Sequence, residues 1–136
     1  MDTQYKSKLK KSNFSRDENM KTVNVVFSPE AKEVYEYLNG QALKSKIERT
    51  IFNAINDKIK LIKFNYHYGD PIKKELIPKE YQLKYGVTNL FRVELPNFWR
   101  MLYTLTNGET EIEIIAFILD IMDHKDYNRK FGYKKN

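Results

Sequence analysis

The stretch "DHKDYNRKFGY", Asp123 to Tyr133, follows an apolar run at once and packs an imidazole, a phenol and several cations into a few positions. His124 offers a group that takes and gives a proton near neutrality. Tyr127 offers a ring that stacks on a base, or a hydroxyl that donates a hydrogen bond. Lys125, Arg129 and Lys130 add positive charge beside them. Such a set is one half of a site that handles phosphate; a solvated tail is the plainer account, since charge runs and single histidines are most often simply exposed. Upstream, Lys73, Lys74, Lys79 and Lys84 interleave with Tyr81 and Tyr85. That pattern suits a rim that tracks phosphates with stacking surfaces between, and equally a solvated face.

The elements that must hold these groups belong to a chain of 136 residues, the size of one domain with one hydrophobic core. Lys and Arg number 24 against 18 Asp and Glu, a net charge of +6, and the pI is about 9.3. That balance favours polyanionic partners: nucleic acid, a ribosome or an acidic protein. With no cysteine there is no disulfide, thiolate metal site or cysteine nucleophile, and His67 and His124 are too few for a histidine-rich metal centre. No apolar run approaches the roughly 18 residues of a membrane span, and the first residues lack the apolar core of a secretory signal. A cytoplasmic protein is expected, with no membrane association.

Residues 1–21, polar and rich in Lys and Ser, are expected to form a flexible basic arm ahead of a single domain over 22–136. "TVNVVF" alternates as a strand, with Val23, Val25 and Phe27 on one side. "SPEA" then opens a helix, with Ser28 as cap and Pro29 at the first helical position, and Asn39-Gly40 closes it. A second helix runs from about Ala42 to Lys63, and its stripe Ile47, Ile51, Ile55 and Ile62 is expected against strands carrying Val93, Met101 and Ile114. Residues 65–89 have no period and form a long connection of the kind that is more often functional than idle. Three strands follow over 90–96, 97–108 and 111–122, the last apolar enough to be central. The expected fold class is α+β: an N-terminal strand, a two-helix hairpin, then an antiparallel three-stranded meander, with helices on one face of the sheet and the other face at least partly open.

"NLFRVELPNFWRMLYTL", the apolar strand after it, "DHKDYNRKFGY", and the opening "VVFSPEAKEVYEYL" together resemble the RelE/ParE superfamily of type II toxin-antitoxin toxins. The likeness spans about Thr22 to Tyr133 and rests on the order and spacing of motifs that are each weak alone. It departs from the family pattern in the long 65–89 segment, across which further site residues have no aligned counterpart. Asp126 also places a negative charge inside "HKDY".

The resemblance implies cleavage of mRNA, usually on the ribosome, by attack of a 2′-hydroxyl on the adjacent phosphate, with neither metal nor cofactor. Such a reaction needs a proton acceptor, cations for the phosphorane and a proton donor for the departing 5′-oxygen. Arg100 matches the strand arginine that the family sets against phosphate, and its planar fork suits two oxygens at once. Arg92, on the neighbouring strand, can share that face, or can simply pair with Glu94. His124 matches the family's proton-transfer position, with Tyr127 assisting. Tyr103 belongs on the opposite side of its strand, in the core. Lys73, Lys74, Lys79, Lys84, Lys125, Arg129 and Lys130 would be the RNA-binding rim. The implied partners are mRNA, the ribosome and a cognate antitoxin encoded nearby, added as a helix or strand. The alternative is a non-catalytic homologue acting as a binding module, gyrase-directed as in the ParE branch or a solitary regulator.

Overall fold

The computed structural model describes residues 21–132, so the arm expected over 1–21 lies, except for Lys21, outside the described residues, as do Tyr133 and the lysines after it. The chain runs β1 (Thr22–Phe27), α1 (Pro29–Gln41), α2 (Lys46–Phe64), β2 (Asp70–Pro71), α3 (Lys79–Tyr85), β3 (Phe91–Glu94), β4 (Arg100–Asn107), β5 (Glu113–Met122) and α4 (His124–Lys130), with 3-10 turns at Lys74–Leu76 and Pro96–Phe98. The fold is α+β. Among the described residues no helix is long and apolar enough to cross a membrane.

Ser28 starts the helical layer and ties it to the sheet. Its Oγ accepts from the Ala31 amide at 2.9 Å and donates to the Leu119 carbonyl at 2.7 Å, and the side chain is fully buried. Helix α1 runs through the Asn39-Gly40 pair and stops at Gln41. Helix α2 begins at Lys46 rather than Ala42, because Ser45 Oγ accepts from the Glu48 amide and sets the first turn there. Ile51, Ile55 and Ile62 are buried, whereas Ile47 is exposed, contrary to the expected stripe. The reason is angular. At about 100° per residue the three buried positions fall within an arc of about 40°, and Ile47 lies about 60° from its centre.

The sheet has five strands in the order β1-β5-β4-β3-β2. Strand β1 lies parallel to β5, and the other pairs are antiparallel. The fifth strand is the short Asp70–Pro71 segment, paired with Arg92 and Phe91 inside what the sequence reads as a loop. Between β4 and β5 the register shifts: Leu102 faces Asp120 while Tyr103 faces Ile118, leaving Leu119 without an opposite residue. This β-bulge turns Leu119 and Asp120 toward the same side of the sheet, and Ser28 Oγ satisfies the Leu119 carbonyl.

Helices pack on both faces of the sheet, on the second face only in part. On the first face, Ile51, Ile55 and Ile62 of α2 with Ala31 and Leu38 of α1 pack on Val93, Met101, Tyr103, Ala116 and Ile118. On the second, Tyr81 of α3 and Tyr127 of α4 pack with Ile77, Leu90, Leu102, Leu119 and Met122. The second face thus carries more cover than expected over β3, β4 and the end of β5, and stays open along β1, where Thr22, Asn24 and Val26 are exposed; the cover has a local cause. The segment read as a loop and the basic segment after β5 each form a short helix with one buried tyrosine. Helices of seven residues are too short to hold alone in water, so it is this tyrosine packing that maintains them.

Candidate functional site

Strand alternation decides which side chains meet α4. Phe91 and Val93 of β3, like Met101 and Tyr103 of β4, face the α1–α2 core. Arg92 and Arg100 therefore point to the opposite face, the one that α4 covers. The register puts Arg92 opposite Leu102 and Glu94 opposite Arg100, so the two arginines are diagonal neighbours with Glu94 between them.

Tyr127 is the centre of the group. Helix α4 starts where Asp123, directly after β5, accepts from the Asp126 amide at 2.9 Å, and one turn later Tyr127 is buried. The Arg100 guanidinium lies over its ring, 4.9 Å from the centroid, and Arg92 Nη1 donates to its hydroxyl at 3.2 Å. Glu94 reaches both cations, 3.3 Å from the Nε atom of each. Neither Nε–H is aimed at Glu94 in hydrogen-bond geometry, although both atoms are buried. Asp70 adds a looser contact to Arg92 at 3.6 Å. The Arg92 pKa is raised, first by the hydrogen bond to Tyr127 and then by Glu94 and Asp70, against the effect of burial. The group is thus two fixed guanidinium ions, one stacking ring and two carboxylates that offset the charge.

His124 stands at the edge of this group. It is exposed at the first position of α4, its ring edge-on to Phe98 with centroids 6.1 Å apart. The Phe98 carbonyl in turn accepts from Arg100 Nη1 at 2.6 Å. The structure thus brings Arg92, Arg100 and Tyr127 together directly, and links His124 to them through the Phe98 turn.

The residues expected as a basic rim divide. Lys73 borders the same hollow as Arg92 and Tyr127, about 210 Å³, with Leu76 and Phe131 as apolar walls. Lys74, Lys79 and Lys125 are exposed. Lys84 is held by Glu30, Arg129 by Asp126 at 2.7 Å, and Lys130 by Glu80 and by Asp120 at 3.5 Å. The Lys84 and Lys130 pairs link one element to another and the Arg129 pair lies within α4, so the charge of all three is already opposed where the sequence expects a free rim.

Lys130 has the clearest role of this kind. The bulge turns Asp120 toward α3 and α4, where it accepts from the Tyr81 hydroxyl at 2.5 Å and pairs with Lys130. Burial raises the Asp120 carboxyl above its ordinary value, opposed by Tyr81 and Lys130. Burial and Asp120 together push the Tyr81 phenol far up. This cluster fastens the end of α4 to the sheet and so fixes Tyr127 against the arginines. Sequence reasoning misses Asp120 because a lone acid in an apolar run gives no sign of a bulge. Phe98 is missed too, because nothing in "LPNFWR" distinguishes an outward aromatic from a core one.

Comparison of the chain with protein-family models, with curated proteins and with solved structures returned no match.

Proposed function

We propose that the chain is a RelE/ParE-type toxin that acts in the cytoplasm as a metal-independent endoribonuclease on mRNA, in the ribosome-dependent manner. The observation that carries the reading is the pair of guanidinium ions fixed on Tyr127, with their buried Nε–H groups near but not aligned on Glu94. Planar cations held in this way suit the non-bridging oxygens of a phosphorane, because the donors are oriented before charge develops. In this reading Arg100 and Arg92 stabilise the phosphorane, His124 transfers the proton, Tyr127 sets the arginines, and Lys73 beside Arg92 takes a flanking phosphate. A RelE-like arrangement is consistent with the consecutive antiparallel strands β3, β4 and β5 and the helix that follows them. The cognate antitoxin would be a protein encoded nearby.

Inducible expression with mapping of cleavage ends on cellular mRNA tests the activity and its substrate together. Growth arrest with new 5′ ends at defined positions supports the reading. Expression without arrest and without new ends overturns it.

One observation favours a second reading, a binding module without nuclease activity. Glu94 and Asp70 oppose Arg92 and Arg100 charge for charge. A phosphate must compete with Glu94 for both cations, so Glu94→Gln is expected to tighten binding of a non-cleavable 2′-O-methyl RNA oligonucleotide by about 1.5- to 5-fold at low salt, the range of one partly exposed ion pair. Fluorescence anisotropy measures this. Unchanged or weaker binding would place phosphate elsewhere on the surface.

A further inference from the structure

We infer that Phe98 is a base-stacking platform, a subsite that receives the nucleobase beside the phosphate held by Arg100; this rests on the RNA reading above. Exposure alone would not single it out. Phe98 is 72% exposed, but Leu43, Phe64 and Leu83 are more so, and scattered apolar surface residues need no explanation. What separates Phe98 is its backbone. Among the described residues, the non-glycine positions with positive φ are Asn97 at 60° and Phe98 at 62°. Asparagine tolerates this region, whereas a bulky aromatic adopts it only under constraint.

The constraint is visible on every side of the turn. Leu95 is buried and its amide donates to the Trp99 carbonyl at 2.9 Å, while the Trp99 amide donates to the Pro96 carbonyl at 3.3 Å. Trp99 packs against the α1–α2 core. Arg100 Nη1 holds the Phe98 carbonyl from below. With Leu95 and Trp99 both drawn inward, the residues between them must reverse direction within a few bonds, and the phenyl ring is left facing solvent beside His124. An apolar ring kept outward by a strained turn gains nothing for the core, and strain of this kind collects where a ligand is received.

The position fixes the ligand class. The ring is flanked by the imidazole of His124 and by a turn whose carbonyl is bonded to the guanidinium of Arg100. An aromatic face next to fixed cations recognises a planar group joined to an anion, which describes a nucleotide in a single strand. Stacking accepts any base, so the subsite contributes affinity and registers the phosphate on Arg100 without reading sequence.

The test is binding of a short 2′-O-methyl RNA, which cannot be cleaved, followed by anisotropy. Phe98→Ala is expected to weaken it by about 5- to 150-fold, the worth of one stacked base, and Phe98→Trp to restore it. A scan of single abasic positions should show one position at which the parent loses affinity and Phe98→Ala loses no more. Phe98→Gly, which relieves the strain, should lose affinity while its melting temperature stays level or rises, so misfolding cannot account for the loss. Parent-like affinity in Phe98→Ala overturns the subsite while the RNA reading stands. If that variant instead alters self-association in sedimentation with RNA binding intact, the ring serves a protein contact and the subsite is overturned. A parent that binds no RNA overturns the RNA reading, and the subsite with it.

Discussion

Arg100→Lys is expected to lower RNA cleavage by about 10²- to 10³-fold, the usual worth of one preorganised donor at a developing oxyanion, while the domain still folds. The substitution keeps the charge and most of the stem. It removes the planar fork, which here lies over Tyr127, donates to the Phe98 carbonyl at 2.6 Å and approaches Glu94 at 3.3 Å. A lysine ammonium is a point charge that cannot make the first two contacts at once in one plane. Alanine is the less informative replacement. Read from the sequence, Arg100 is an exposed strand residue whose truncation leaves stability unchanged, but its side chain is only 18% exposed. Truncation would uncover the Tyr127 ring and leave Glu94 with one cation, at a cost in the range of about 0.5–3 kcal/mol common to such losses. Single-turnover cleavage of an RNA oligonucleotide and a thermal melt, taken together, check the prediction. Parent-like cleavage by Arg100→Lys would remove the guanidinium from the mechanism.

Strands and long helices were the legible part of this fold, since each repeats its pattern over several residues. The alternation of Val23, Val25 and Phe27 gave β1, and the apolar run 114–119 announced β5, which lies between β1 and β4. Counting strand positions from Arg100 puts Tyr103 in the core, and it is fully buried there, its hydroxyl donating to the Tyr66 carbonyl and accepting from the Gly69 amide. Short helices were harder to see because seven residues hold barely two turns of period. Their punctuation was nonetheless present. Asp123 caps α4 and Gly132, at φ 76°, ends its turn, while Gly86, at φ 65°, ends α3. Those caps mark two helices, one in the expected loop and one in the basic segment after β5, which cover part of the second face of the sheet.

The site was legible as a set of residue types and illegible as an arrangement. Arg92, Arg100 and Tyr127 are candidates through the RelE/ParE resemblance, which sets cations and an aromatic near a phosphate, and the structure shows only that the three lie together. That Glu94 would reach both arginines depends on the β3–β4 register, and pairing with Arg92 alone was all that sequence spacing suggested. The bulge at Leu119 had no sequence signal at all. It arises from how β5 meets β4, and it decides that Asp120 turns toward Lys130 rather than toward α1 and α2. The electrostatics of the basic segment depend on the same kind of tertiary placement, since Lys130 and Lys84 meet carboxylates only where α3 packs beside α4 and α1, whereas Arg129 pairs with Asp126 inside α4 itself.

His124→Gln is expected to reduce cleavage by about 10²- to 10⁴-fold and to leave both stability and RNA affinity close to those of the parent. The stability half follows from placement. His124 is exposed, its position follows the capping residue Asp123, and the cap is made by the Asp123 carboxylate to the Asp126 amide, which glutamine does not disturb. What the substitution removes is the edge contact with Phe98 and the capacity to carry a proton. The affinity half follows from the division of labour in the proposed reading, where Arg92, Arg100 and Lys73 would attract phosphate, whereas a proton-transfer group acts only as bonds change. The ratio of the two effects therefore separates the readings. A nuclease loses turnover with binding intact. In a binding module the substitution changes affinity or nothing. If cleavage persists at the parent rate, proton transfer belongs to another group. Glu94, 3.3 Å from both guanidinium Nε atoms, is then the carboxylate to replace next.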